Sequence, residues 1–96
     1  MNARAKFKTR RAEASRAALR LAPAFHPHWS SRDDHALMTA RAKRENFTVI
    51  AKRLGRSRIA VEQRWHRLRV IPNVVKLLEA YGLSGKPYPL DGCADG

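Results

Sequence analysis

The sequence predicts an all-α fold, and three observations carry that prediction. Apolar residues recur at helical spacing, as in Leu37 with Ala40 and Val61 with Trp65 and Leu68, and no stretch alternates as a strand does. Residues that cap helices stand ahead of those runs: Ser30 or Ser31, then Ser57. The chain has 96 residues, enough for one small domain with tails, but too few for a cofactor-binding sheet joined to a substrate domain. Most large enzyme folds are thereby excluded.

Taken in order, residues 1–28 read as a basic arm, flexible or partly helical. Its alanines favour helix from about Thr9 to Leu21, but Phe7, Ala14, Ala18, Leu19 and Leu21 make only a thin apolar stripe. Pro23 and Pro27 punctuate the following linker, which is expected to be extended. Residues 29–70 hold three helices. The first starts after Ser30 or Ser31, places Asp33 and Asp34 in a first turn where the helix dipole favours acids, and runs to about Arg44. The second runs from near Asn46 to Leu54 and stops at Gly55, which suits a left-handed helix terminus. The third, capped by Ser57, runs from Arg58 to about Arg69. Residues 71–83 carry a short fourth helix, Asn73 to Tyr81, set between Pro72 and Gly82. Its Val74, Val75, Leu77, Leu78 and Tyr81 are more apolar surface than a lone exposed helix should show. Docking on the first of the three helices is expected; a dimer or partner interface is the alternative. Residues 84–96, with three Gly and two Pro, read as a flexible tail.

Charge narrows the function. Twenty Lys and Arg stand against eight Asp and Glu, a formal net charge of +12. Residues 71–96 hold two bases and three acids, so the excess lies entirely in the first seventy residues. A surface so divided is expected to meet a polyanion. No apolar run is long enough to span a membrane. Cys93 is the single cysteine and makes neither an internal disulfide nor a zinc site, which fits a reducing compartment. His26, His28, His35 and His66 have no cysteine nearby and no zinc-site spacing, so no metal or other cofactor is expected. No nucleophile–base pair and no phosphate-binding glycine loop occurs, so no enzymatic activity is expected either.

Trp29, Phe47 and Trp65 are separated by 18 and 18 residues, one large aromatic for each central helix, and are expected to meet in one core. The flanking residues extend the pattern. Trp29-Ser30-Ser31-Arg32-Asp33-Asp34 with Leu37 resembles the opening of a Myb/SANT repeat. Phe47 to Ser57 resembles that family's second helix and turn, and Val61 to Leu68 its third helix. The resemblance spans about residues 29–69. Phe47 replaces the more usual middle Trp, and Arg41 stands where a second apolar residue is usual. Ile50 to Leu68 is also similar to the helix-turn-helix of GcrA-type bacterial cell-cycle regulators. Both resemblances imply a three-helix, Myb-like helix-turn-helix bundle that binds DNA. They also imply that Glu62, Gln63, His66 and Arg67 contact bases, and that an acid of the first helix pairs with Arg64.

The Arg58–Arg69 helix can be read by geometry as well. Val61, Trp65 and Leu68 fall within about 60° of arc and face the core. Arg64 then lies about 65° from the core centre and Arg67 about 130°. The outer face carries Ile59, Gln63, His66 and Arg67, with Glu62 at its flank. Arg67 suits guanine, Gln63 adenine, Glu62 cytosine and Ile59 the thymine methyl. Lys52, Arg53, Arg56 and Arg58 surround the turn, and Arg69 flanks the same helix; these are candidate phosphate contacts. Arg4, Lys6, Lys8, Arg10 and Arg11 of the arm are candidates for phosphates or an adjacent minor groove.

The expected function is sequence-selective binding of double-stranded DNA in transcription control, by a monomer or homodimer. The alternative is a protein-interaction module that contacts RNA polymerase through the C-terminal helix, or a phage assembly or packaging component. RNA binding is a third reading, weakened by the lack of an aromatic platform for single strands. A bacterial or phage origin implies the cytoplasm and the nucleoid, a eukaryotic origin the nucleus.

Overall fold

Among the described residues five helices make up the fold: α1 (Asn2–Leu21), α2 (Ser31–Ala42), α3 (Phe47–Leu54), α4 (Arg58–Leu68) and α5 (Val74–Tyr81). The computed structural model describes residues 2–89, and of residues 2–10 the backbone alone. A 3-10 turn, Ala22–Ala24, follows α1. No strand occurs among the described residues beyond an isolated bridge between Ser30 and Pro87. The fold is all-α.

Local signals set the central helix boundaries. The side chains of Ser30, Asn46 and Ser57 accept the backbone N–H of Asp33, Val49 and Ala60, so each satisfies a donor left free at a helix start. Gly55 ends α3 in the left-handed region at φ 69, open to glycine without a Cβ penalty. Arg44 adopts φ 66 after α2, an unusual conformation for a side-chain-bearing residue, and turns the chain toward α3.

Leu21, Leu37, Ile50, Val61, Leu68 and Leu78 are the most deeply buried apolar side chains, drawn from all five helices. α2, α3 and α4 pack against one another, and α5 lies on both α1 and α2. Leu78 and Val74 are buried there, and His35 of α2 meets Glu79 of α5 at 2.8 Å.

Three regions differ from the sequence reading. Helix in the basic arm begins at Asn2 rather than near Thr9. Its second half is docked: Ala17 and Leu21, one turn apart, are both buried, whereas Leu19 stands exposed. The small Ala17 side chain allows α1 to approach α5 closely.

The three spaced aromatics do not form one ring cluster. Phe47 and Trp65 pack edge to face at 5.6 Å, and Trp65 is only half-buried. Trp29 pairs with neither; its ring is covered by the Arg56 guanidinium at 3.8 Å. Arg41, placed where an apolar residue is usual, lies over the Phe47 ring at 4.3 Å and donates to the Glu45 carbonyl. The cation closes the aromatic pair that an apolar side chain would otherwise cover.

The tail is held in place as far as Tyr88. Ser31 Oγ donates to the Gly82 carbonyl and accepts the Ser84 N–H, each at 2.8 Å. Arg32 N–H donates to the Ser84 carbonyl, and Tyr88 N–H to the Trp29 carbonyl. Tyr88 is buried, stacks on Phe25 at 4.5 Å, and joins Tyr81 in a cluster of three rings. Residues 90–96, with Cys93, lie outside the described residues.

Candidate nucleic-acid interface

The candidate interface is built on a buried charge pair that ties α4 to α2. Arg64 Nε donates to Asp34 Oδ1 at 2.9 Å and Arg64 Nη2 to Asp34 Oδ2 at 2.7 Å. The two side chains are only 2% and 0% exposed. Tyr88 also donates its hydroxyl to Asp34. The Tyr88 phenol is pushed up from its ordinary 10.0, chiefly by burial, then by the charge and hydrogen bond of Asp34, with Arg64 opposing. Arg64 thus lies in the core between Val61 and Leu68, deeper than its helical angle suggests, while Trp65 sits at the edge. A bidentate pair of this kind supplies the geometry needed to bury a guanidinium.

With that face inward, the other side of α4 opens to solvent. Ile59 is 59% exposed, and Gln63, His66 and Arg67 are exposed beside it. These four sequence-predicted residues therefore share one surface. Glu62 is half-buried and bound to Arg58 Nη1 at 2.8 Å. Arg67 Nη2 donates to the Pro23 carbonyl at 2.8 Å, which leans its head toward the linker. His66 packs edge-on to Trp65, and its Nδ1 accepts from Arg69 Nε at 3.3 Å.

The candidate phosphate contacts divide. Lys52 and Arg53 are exposed at the end of α3, and Arg53 reaches Glu45 at 2.8 Å. Arg58 is exposed at the start of α4, and Arg69 is exposed with its guanidinium 5.1 Å from the Trp65 ring centre. Arg56 turns inward: beyond covering Trp29, its Nη2 donates to Asp33 at 2.9 Å and to the His28 carbonyl at 2.7 Å. Arg11 is exposed on α1; the side chains of Arg4, Lys6, Lys8 and Arg10 lie outside the described residues.

Charge pairing leaves an excess. The four acids of residues 29–70 each meet an arginine: Asp33 with Arg56, Asp34 with Arg64, Glu45 with Arg53, and Glu62 with Arg58. Seven cations of that segment, Lys52 and Arg67 among them, have no acidic partner among the described residues. The segment is positive because it holds eleven bases against four acids.

Two residues on this side escape the sequence reading. His26 and His28 line a shallow depression with Arg56, Gln63, Arg64 and Arg67, against the ring of Trp29. The His26 pKa is lowered from 6.5, first by burial, then by the positive Arg64 and His28, with Arg56 adding and Asp34 opposing. Only their position two residues apart beside Pro27 hints at a shared direction.

Among the described residues no group of three His, Cys, Asp or Glu is placed to hold a metal ion. No helix among them is long and apolar enough to cross a membrane. No family model matches the chain, and neither a curated protein nor a solved structure does.

Proposed function

We propose that this protein binds double-stranded DNA sequence-selectively, in transcription control, with α2–α4 acting as a Myb-like helix-turn-helix unit. The division of α4 carries the reading. Its buried side holds Val61, Arg64 and Leu68, and its open side holds Ile59, Gln63, His66 and Arg67. A helix locked in rotation by a buried ion pair, following the short Gly55–Ser57 turn, presents those open side chains to a major groove. Gln63 offers a bidentate amide for adenine and Ile59 an apolar surface for a thymine methyl. Arg67 reaches guanine by exchanging its exposed bond to Pro23, and such an exchange costs little because the carbonyl regains water. Glu62 accepts from cytosine at the flank. Lys52, Arg53, Arg58 and Arg69 then meet phosphates on either side, and the cations of α1 add affinity without reading sequence.

The alternative, a protein-interaction module that works through the C-terminal helix, draws no support from α5. Its Val74 and Leu78 are covered within the chain.

Selection from random duplexes followed by gel shift tests the proposal, with two neighbouring arginines as the control. Arg67→Ala is expected to keep the fold. It should cost about 1–3 kcal/mol for the selected site and little for random duplex. Arg64→Ala strands the Asp34 carboxylate and should lower stability by about 3–5 kcal/mol, with the specificity ratio preserved in the folded fraction. Equal loss on both duplexes makes Arg67 a phosphate contact. No loss on either removes α4 from the groove.

A further inference from the structure

We propose that the depression between the His26–Trp29 segment and α4 is a binding site for a phosphate oxyanion. It shares Gln63 and Arg67 with the open side of α4, yet it stands independently of duplex recognition. The rim donors are His26, His28, Gln63 and Arg67, with Arg56 and Arg64 beneath them.

Hydrogen bonding fixes the role of His26. The His28 backbone N–H donates to His26 Nδ1 at 3.0 Å. Nδ1 is therefore the acceptor of a neutral ring, and the proton sits on Nε2. His26 presents a donor without needing to be charged. Gln63 has two amide N–H groups, and Arg67 has N–H groups beyond the one given to Pro23. His28 is exposed and free to turn its ring.

The groups underneath supply the field. Arg56 and Arg64 are paired with Asp33 and Asp34, but Arg56 Nε and Arg64 Nη1 are buried without a hydrogen-bond partner among the described residues. Three guanidinium groups, of Arg56, Arg64 and Arg67, thus line one hollow, and only two of them have a carboxylate partner, in Asp33 and Asp34. Burial first, and then the positive Arg64, lower the His26 pKa. An anion seated on the rim compensates the unpaired positive charge, and its oxygens accept from the donors that line the hollow. A phosphodiester of DNA and free inorganic phosphate present the same chemistry, so the source is a matter for experiment.

The test is a titration of the whole chain with inorganic phosphate, followed through the ring-proton resonances of His26 and His28. A chloride titration at equal ionic strength serves as the reference. Saturable shifts with phosphate and not chloride are expected in the millimolar range, as suits one small anion. The double variant His26→Ala, His28→Ala, read through backbone amide shifts of Gln63 and Arg67, should bind about tenfold more weakly. If that variant melts lower than the parent, His28→Ala, at an exposed position, replaces it and should still weaken phosphate binding, unchanged affinity again overturning the proposal. Loss of the phosphate shift on adding duplex assigns the site to the DNA backbone; its persistence assigns the site to free phosphate. No saturable shift, an equal shift with chloride, or unchanged affinity in the double variant overturns the proposal. A duplex bound tightly by a chain that shows no phosphate shift ends this proposal alone. Phosphate bound by a chain that ignores duplex ends the DNA reading alone.

Discussion

Tyr88 shows how much a single polar contact governs here. Its hydroxyl completes the hydrogen bonding of Asp34, the carboxylate that orients Arg64. Its pKa is raised above 10.0 in the folded chain, so the fold keeps a phenol proton that the unfolded chain releases near pH 10. Stability from this source is full below that pH and falls as the pH rises through and beyond it. Melting followed from pH 8 to 11, about the span around the phenol's ordinary value, should show an alkaline decline in the parent that Tyr88→Phe flattens. Tyr81, raised by burial alone, leaves a residual slope. Identical alkaline profiles for parent and variant would remove Tyr88 from the buried network. At neutral pH the same substitution should cost about 1–3 kcal/mol, the penalty for leaving a buried acceptor short of its donor.

At the scale of elements, the segment after α5 behaves as part of the fold. Deleting residues 84–96 removes the Ser84 contacts with Ser31 and Arg32, together with the Phe25–Tyr88 stack. The melting temperature should drop by at least as much as Tyr88→Phe alone lowers it. A midpoint unchanged by the deletion would show the clasp to be energetically silent. The sequence makes some elements readable and hides others for a common reason. Ser30, Asn46, Ser57 and Gly55 act within one turn of themselves, so their positions alone mark where α2, α3 and α4 begin and where α3 ends. The open side of α4 follows from helical periodicity in the same way. Phe25, Tyr81 and Tyr88 meet across more than sixty residues, and no local pattern encodes that meeting. Tyr88, flanked by prolines that favour extended backbone, is the one hint of order in the tail. Arg56 reads as outward-facing because turns are usually solvated. The ring of Trp29 and the carboxylate of Asp33 draw it inward instead.

For the molecule as a whole, the proposed DNA binding would draw its affinity from electrostatics and its choice of site from α4. Acids of the central helices are committed to internal pairs, and the cations of α1 extend the positive surface away from them. If the arm and the turn together neutralise roughly 6 phosphates, log K against log salt should slope near −5. Replacing Arg4, Lys6, Lys8, Arg10 and Arg11 with Gln should flatten that slope by about 0.9 for each phosphate no longer neutralised, and weaken selected and random duplex alike. These positions lie on the early turns of α1, ahead of the buried Ala17 and Leu21, so the fold should survive the change. An unaltered slope would take α1 off the DNA.

The clasp between Tyr88 and Asp34 also orders events in time. The two residues are 54 apart in sequence, and the chain must pass through α2 to α5 before they meet. Pairs so distant carry a large loop-closure cost and tend to form after the main barrier is crossed. Tyr88→Phe should therefore leave the refolding rate nearly unchanged and speed unfolding by the whole of its stability loss, about fivefold or more for each kcal/mol. A chevron in which the refolding arm moves instead would place this pair in the folding nucleus. During synthesis the consequence is sharper: a ribosome-bound chain that has not yet released residue 88 holds Arg64 and Asp34 without the hydroxyl that completes them. Until Tyr88 reaches Asp34, the pair that orients the outward-facing helix is one hydrogen bond short.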